Sequence, residues 1–223
     1  MQLSEIKRLP NLKIINSTES ICYVNDNTIY KIFKSEENLE EKIKIINTLI
    51  SSNIDSLPEI YDYIYDNNRI VGYSMKYYKN IKSLSDIKSF KLIKQKCIEL
   101  IEIYEKIKNE HNLCYYDFHK DNIFTYNGKI LLLDIDNCLK ITQEIEKLSL
   151  QQLKEFIISL LYKTYYFDYE TYFTYPEQTY IRKLLLQNVD KDNLSEYDLK
   201  IYVNQITKKD TKRTLKKIPY KIK

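Results

Sequence analysis

The sequence predicts an α+β fold, with strands first and helices after. Three observations carry that expectation. Between residues 12 and 33, three runs of β-branched and aromatic residues alternate with Asn/Asp/Ser clusters. Over residues 89–107 and again over 144–166, apolar residues recur at helical spacing. Between those helices, two short apolar runs flank Asn127-Gly128, the dipeptide of a tight hairpin turn.

Taken in order, residues 1–12 lead in as a short helix or an extended arm. Residues 12–16 form a strand, 17–20 a polar turn, 21–24 a second strand, 25–27 a turn and 28–33 a third strand. Alternation along the third strand sets Ile29, Lys31 and Phe33 on one face, with Tyr30 and Ile32 on the other. Residues 35–50 are a helix: Ser35 is the expected N-cap, acidic residues occupy the first turn, and Leu39, Ile43, Ile46 and Ile50 share one face. Residues 57–65 and 69–75 are two more strands, joined at Asp66-Asn67-Asn68, and residues 76–80 form an exposed link. The helix over 89–107 presents Leu92, Ile93, Cys97, Leu100, Ile101 and Tyr104 to a core, with His111 expected on the surface near its end. Closing helices are expected over 179–187 and 195–206. No internal repeat is visible.

The totals bound the function. A chain of 223 residues suffices for one domain or two small lobes around a shared cleft. With 43% hydrophobic and 30% charged residues it has the makeup of a globular protein, not a disordered one. No apolar run approaches the roughly 20 residues of a membrane span, so no membrane partner is expected. The opening residues lack the pattern of a secretory signal. Cys22, Cys97, Cys114 and Cys138 are scattered and only two His residues exist, which argues against a structural zinc site. Thiols so placed suggest a reducing, cytoplasmic location. The net charge of +4 is unevenly held: residues 208–223 carry eight Lys or Arg against Asp210 alone, leaving the rest near −3. A wholly basic nucleic-acid-binding body is therefore not expected. The basic tail, and the aromatics interleaved over 165–175, leave nucleic acid or an acidic protein open as partners; solvated disorder is the expected state of the tail.

The chemistry concentrates in Tyr116-Asp117-Phe118-His119-Lys120-Asp121-Asn122 and in Ile130-Leu131-Leu132-Leu133-Asp134-Ile135-Asp136. An Asp is followed five residues later by an Asn. Residues 122–124 and 130–133 then read as two strands of one hairpin. A hairpin brings its ends together, so Asn122 and Asp134 can share one ion, and both offer the hard oxygens that Mg2+ prefers.

These residues resemble the catalytic loop and metal-binding strand of the protein-kinase-like superfamily. His119, two residues after Asp117, is similar to the aminoglycoside and choline phosphotransferase branch and to atypical kinases. Tyr115 replaces the usual His, and Asp134-Ile135-Asp136 replaces Asp-Phe-Gly. The resemblance implies a two-lobed fold: a small antiparallel β-sheet lobe with one helix over residues 1–76, a mostly helical lobe over 77–207, and the basic tail over 208–223.

It also implies ATP- and Mg2+-dependent transfer of the γ-phosphate to a hydroxyl of a protein Ser/Thr or a small molecule. Asp117 would be the base, Asn122 and Asp134 the metal ligands, and Lys31 the contact to the α- and β-phosphates. Glu41 would steady Lys31, with Glu40 nearly as well placed. Ser17 and Ser20 would lie in the lid over the phosphates. Met75 would guard the back of the adenine pocket, and Lys76 and Tyr78 would pair with adenine through their backbone. His119 would support the loop or approach a phosphate. The lid turn lacks the glycines that let backbone N–H groups approach phosphate closely. That departure leaves open a nucleotide-sensing or scaffolding pseudokinase. Tyr175-Pro176-Glu177 is similar to the end of a kinase activation segment but stands too far beyond Asp134 to serve as one.

Overall fold

The structure, a computed structural model, describes residues 1–162, 180, 183–187, 189 and 195–217. The aromatic stretch over 165–175, the Tyr175-Pro176-Glu177 motif and part of the helix expected over 179–187 lie outside the described residues.

The chain opens with a four-residue helix, α1 (Leu3–Ile6), and then builds a five-stranded antiparallel sheet from β1 (Lys13–Asn16), β2 (Ser20–Asn25), β3 (Thr28–Phe33), β4 (Ile60–Asp66) and β5 (Arg69–Lys76). The strand order is β1-β2-β3-β5-β4. Period-two alternation sorts the two faces. Ile32 and Ile64 pack with Ile6 of α1 and with Tyr23 and Tyr30 on one side, joined out of alternation by Val71, which the register shift between Gly72 and Ile70 leaves unpaired with β4. Tyr73 and Met75 pack on the other, with Ile29, Phe33 and Ile46. Ile46 belongs to α2 (Leu39–Ile50), which covers that second face.

With only two glycines in the chain, asparagine and aspartate supply most of the left-handed backbone positions. Asn67 and Asn68, with φ of 47° and 64°, close the β4–β5 hairpin as a two-residue turn. Gly72 has a different task. A Cβ at this position would stand 2.0 Å from the Lys31 carbonyl oxygen, so only glycine lets β5 lie this close to β3.

Helix α2 departs from expectation in its start and its phase. Asn38 adopts a left-handed conformation (φ 57°) immediately before Leu39, so the helix begins there and not at Ser35. Ser35 Oγ instead accepts the Glu37 amide in the preceding turn, at 3.1 Å. The buried residues are Ile45, Ile46 and Leu49, while Ile50 is 46% exposed. The apolar face is thus rotated from the expected one, and the residue a turn before it is Lys42.

The rest of the chain packs around α3 (Phe90–His111). Ser89 caps this helix by accepting the Leu92 amide, and Asn112 ends it in a left-handed conformation. Leu92, expected in the core, is exposed, and the His111 side chain, expected on the surface, is largely buried. Two small antiparallel units sit on this scaffold. One pairs β7 (Leu113–Tyr115) with β10 (Cys138–Lys140); the other orders β6 (Lys82–Ser83), β8 (Ile123–Tyr126) and β9 (Lys129–Leu132) as β6-β8-β9. The β8–β9 turn places Asn127 and Gly128 at φ 50° and 80°, the hairpin read from the sequence. A large core joins Ile45 and Leu49 of α2 to α3, to β7 and β9, and to Leu153, Ile157 and Leu161 of α4 (Gln143–Tyr162).

The basic tail is structured where it is described, contrary to the expected disorder. Helix α5 (Glu196–Gln205) and helix α6 (Lys208–Leu215) each begin with a capping box, Ser195 with Asp198 and Thr207 with Asp210. Such a cap contributes about 1 kcal/mol, and Leu215 adds an apolar contact to the main core. No helix among the described residues is long and apolar enough to cross a membrane.

Candidate active site

The sheet and the β7–β10 region meet at an ion-pair cluster. Lys31, on the α2 side of β3, reaches Asp134 Oδ1 at 3.0 Å and Asp136 Oδ1 at 2.7 Å. Asp134 stands two residues past the end of β9 with φ 52° and ψ 45°. This left-handed conformation, which aspartate and asparagine adopt more readily than most other non-glycine residues, turns the chain out of the strand and into a single 3-10 turn, Ile135–Asn137. That turn carries Asp136 under the sheet. Asp136 is 2% exposed, and its Oδ1 also accepts the Tyr73 hydroxyl at 2.8 Å.

The electrostatics agree from both sides of the pair. Burial works against the Asp136 carboxylate, but Lys31, the Tyr73 hydroxyl and Lys42 outweigh it and hold the carboxyl below its ordinary range. Burial likewise works against the Lys31 ammonium, and Tyr73, Asp136 and Asp134 more than reverse it, holding the amine well above its ordinary value. The pair is therefore fully charged at neutral pH. Breaking such a buried pair from one side costs about 3–5 kcal/mol.

The loop between β7 and β8 supplies a second cluster. Asp117 Oδ2 accepts the Asn122 amide at 2.7 Å and the Asn137 amide at 3.4 Å. Asn122 is fixed to the strand that leads to Asp134, because its carbonyl accepts the Leu133 amide at 2.8 Å. The Asn137 amide N–H in turn donates to the Asp134 carbonyl at 3.1 Å, and the buried Tyr115 hydroxyl donates to the Leu133 carbonyl at 2.9 Å. Lys31, Asp117, Asn122 and Asp134, spread over 104 positions of sequence, are thereby joined through one short network. A cavity of about 260 Å³ opens beside Asp117, walled by Phe118, Phe156, Gln152 and Ser159.

The residues suit a magnesium ion. Asn122 turns its side-chain nitrogen to Asp117, which leaves its side-chain oxygen Oδ1 for another partner. Asp134 spends Oδ1 on Lys31, which leaves Oδ2, and its side chain is 39% exposed. Among the described residues no group of three or more His, Cys, Asp or Glu gathers as a metal site. Mg2+ bound mainly through nucleotide phosphates needs only one or two protein oxygens.

Other expected site residues stand elsewhere. Glu41 does not pair with Lys31; its carboxylate is 3.4 Å from Lys140, in an exposed pair. Glu40 is exposed and makes no ion pair with Lys31. The helix phase explains this, since the α2 residue directed at Asp136 is Lys42, at 3.8 Å. His119 is 52% exposed and pairs with Asp121 at 3.3 Å, so it braces its own loop. Ser17 and Ser20 close the β1–β2 turn on each other: the Ser17 amide donates to the Ser20 carbonyl at 3.0 Å, and the Ser20 amide donates to Ser17 Oγ at 3.1 Å. Met75 is buried at the end of β5, on the same face as Tyr73. The Lys76 amide is spent on the Glu59 carbonyl at 2.9 Å, and the Tyr78 hydroxyl folds back to accept the Glu59 amide at 2.7 Å.

Sequence reasoning gave no role to Asp136, Tyr73 or Lys42. Only the position of Lys42, one turn before Ile45 and Ile46 and two before Leu49, carries a local signal. No protein-family model matches the chain, and no curated protein matches it.

Proposed function

We propose that the chain is a phosphotransferase of protein-kinase-like architecture, transferring the γ-phosphate of ATP to a hydroxyl with the help of Mg2+. The single observation that carries this reading is the 3.0 Å contact between Lys31 and Asp134, two residues 103 positions apart that the resemblance pairs around one nucleotide. An ammonium, an amide oxygen and two carboxylates in one network are the groups phosphoryl transfer calls for. The two-lobed division, with the sheet and α2 as the small lobe, fits the same reading.

Lys31 would contact the α- and β-phosphates, exchanging part of its hold on Asp134 for them while Asp136 keeps it in place. Asn122 and Asp134 would hold the metal, which when bound offsets the negative charge on the phosphate oxygens. Asp117 has one oxygen fixed by Asn122 and Asn137, and its other oxygen would accept the proton of the acceptor hydroxyl. The cavity beside it, about 260 Å³, has room for a small alcohol or for a single Ser or Thr side chain. A nucleotide-sensing pseudokinase is the second reading. The closed Ser17–Ser20 turn favours it, because the Ser17 and Ser20 amides already have partners.

The test is transfer of labelled γ-phosphate from Mg·ATP to water, to the protein itself and to a panel of small alcohols. The phosphotransferase reading expects turnover that falls about 10²–10⁴-fold in Asp117→Ala, with ATP affinity retained. Saturable ATP binding with equal, background transfer in both proteins would favour the pseudokinase.

A further inference from the structure

The Ser17 and Ser20 amides are already bonded within the β1–β2 turn, and α2 offers no carboxylate to Lys31. Both departures converge on one side chain. Lys42 Nζ lies 3.8 Å from Asp136 Oδ2 and 3.6 Å from Glu19 Oε2, and Glu19 belongs to the β1–β2 turn. Lys42 therefore links three parts of the chain: the helix that carries it, the β1–β2 turn, and the carboxylate that anchors Lys31.

Neither contact saturates the ammonium. Both distances exceed a hydrogen bond, and among the described residues Lys42 Nζ donates none. Glu19 is 62% exposed, so its attraction is screened and exchangeable. Asp136 Oδ2, by contrast, is buried and without a hydrogen-bond partner, so its charge keeps Lys42 oriented inward. The Lys42 side chain is 25% exposed and lies over the Phe33 ring at 5.3 Å, which steadies the stem and leaves the head within reach of solvent. A cation that makes no hydrogen bond among the described residues, and that faces the same carboxylate as Lys31, is suited to an anion that enters beside the β1–β2 turn.

We propose that Lys42 is a second nucleotide-phosphate ligand, which together with Lys31 forms a two-ammonium clamp held by Asp136 and replaces the missing glycine-rich turn. The clamp rests on the reading of the site as an ATP site. On binding, Lys42 exchanges the exposed Glu19 for phosphate oxygens. Asp136 is the positioning residue for both cations and does not itself touch the nucleotide.

The experiment titrates the full chain with Mg·ATP and, separately, with adenosine, comparing wild type, Lys42→Ala, Lys42→Arg and, as a control on the exposed side of the same helix, Lys44→Ala. Thermal melts establish that each variant is folded. The clamp predicts that Lys42→Ala weakens ATP binding about tenfold or more and leaves adenosine binding unchanged. Lys42→Arg recovers most of the loss, and Lys44→Ala matches wild type. If wild type binds ATP and Lys42→Ala binds it equally well, or loses adenosine in the same proportion, the clamp is wrong while the ATP site stands. If Lys42→Ala does not fold, Lys42→Gln, which keeps most of the stem and removes the charge, decides: an ATP-to-adenosine affinity ratio about tenfold or more below wild type supports the clamp, and a retained ratio overturns it. If wild type binds neither ligand, the ATP site and the clamp fall together.

Discussion

Lys31 and Asp136 form a buried ion pair 2.7 Å long, closing 105 residues of sequence between the sheet and the 3-10 turn that follows β9. The carboxylate that holds the strand lysine thus comes from the segment just after Asp134 and not from α2. Two sets of consequences follow, one for stability and one for ligand binding, and they separate by mutation.

The pair should be costly to break and cheap to replace. Lys31→Met alone leaves Asp136 buried and charged, and the expected loss is about 3–5 kcal/mol. Replacing the whole set with apolar groups, Lys31→Met with Asp136→Leu and Tyr73→Phe, also removes the hydroxyl that Asp136 accepts. This triple variant is expected to return to within about 2 kcal/mol of wild type while losing nucleotide binding. Urea unfolding of the single and triple variants measures both values. A single variant as stable as wild type would show that Asp136 is not anchored as described.

The same pair sets the acid limit of stability. The Asp136 carboxyl is held below its ordinary value when folded, so the unfolded chain binds its proton first as pH falls. Its contribution is complete above about pH 4, the unfolded carboxyl range, and is lost as pH drops through the folded value. Lys31, held above its ordinary value, behaves in the mirror sense: its contribution is complete below about pH 10.4 and is lost as pH rises further. Unfolding midpoints measured from pH 7 to pH 3 should fall more steeply for wild type than for the triple variant. Parallel curves would contradict the assignment.

Gly72 provides a test of geometry with no charge involved. An added Cβ would meet the Lys31 carbonyl oxygen at 2.0 Å, and the nearest atoms are all β3 backbone, so the two strands would have to move apart. Gly72→Ala is expected to destabilise by about 1–3 kcal/mol, the usual cost of forced overpacking. It should also weaken Mg·ATP binding, because the strand that moves carries Lys31. A Gly72→Ala protein with unchanged melting temperature and affinity would place β5 farther from β3 than described.

Much of this architecture was legible in the chain, for local reasons. The strands through β3, the β4–β5 hairpin and the β8–β9 turn announce themselves through alternation and Asn/Asp turns, signals carried within a few residues. The Lys31–Asp134 meeting was legible because a resemblance linked the two motifs. Asp136, Tyr73 and Lys42 were not, because what gives them a role is contact across 63 to 105 positions, and nothing local marks a buried aspartate. Glu41 was misplaced for a smaller reason. Asn38 in a left-handed conformation starts α2 late, and the 45-46-49 face, not 39-43-46-50, turns inward and brings Lys42 to the site. The tail's charge predicts disorder, but where the tail is described, the charges from Lys208 to Arg213 lie along a capped helix that also offers Leu215 to the core.

The central claim is that Lys31, Asn122 and Asp134 receive one Mg·ATP. Calorimetric titration of ATP into the full chain, with and without Mg2+, beside the folded triple variant at Lys31, Tyr73 and Asp136, tests it most directly. The account predicts saturable one-to-one binding to wild type that is strengthened by Mg2+ and lost in the triple variant. No heat with wild type, or the same affinity in both proteins, would contradict it.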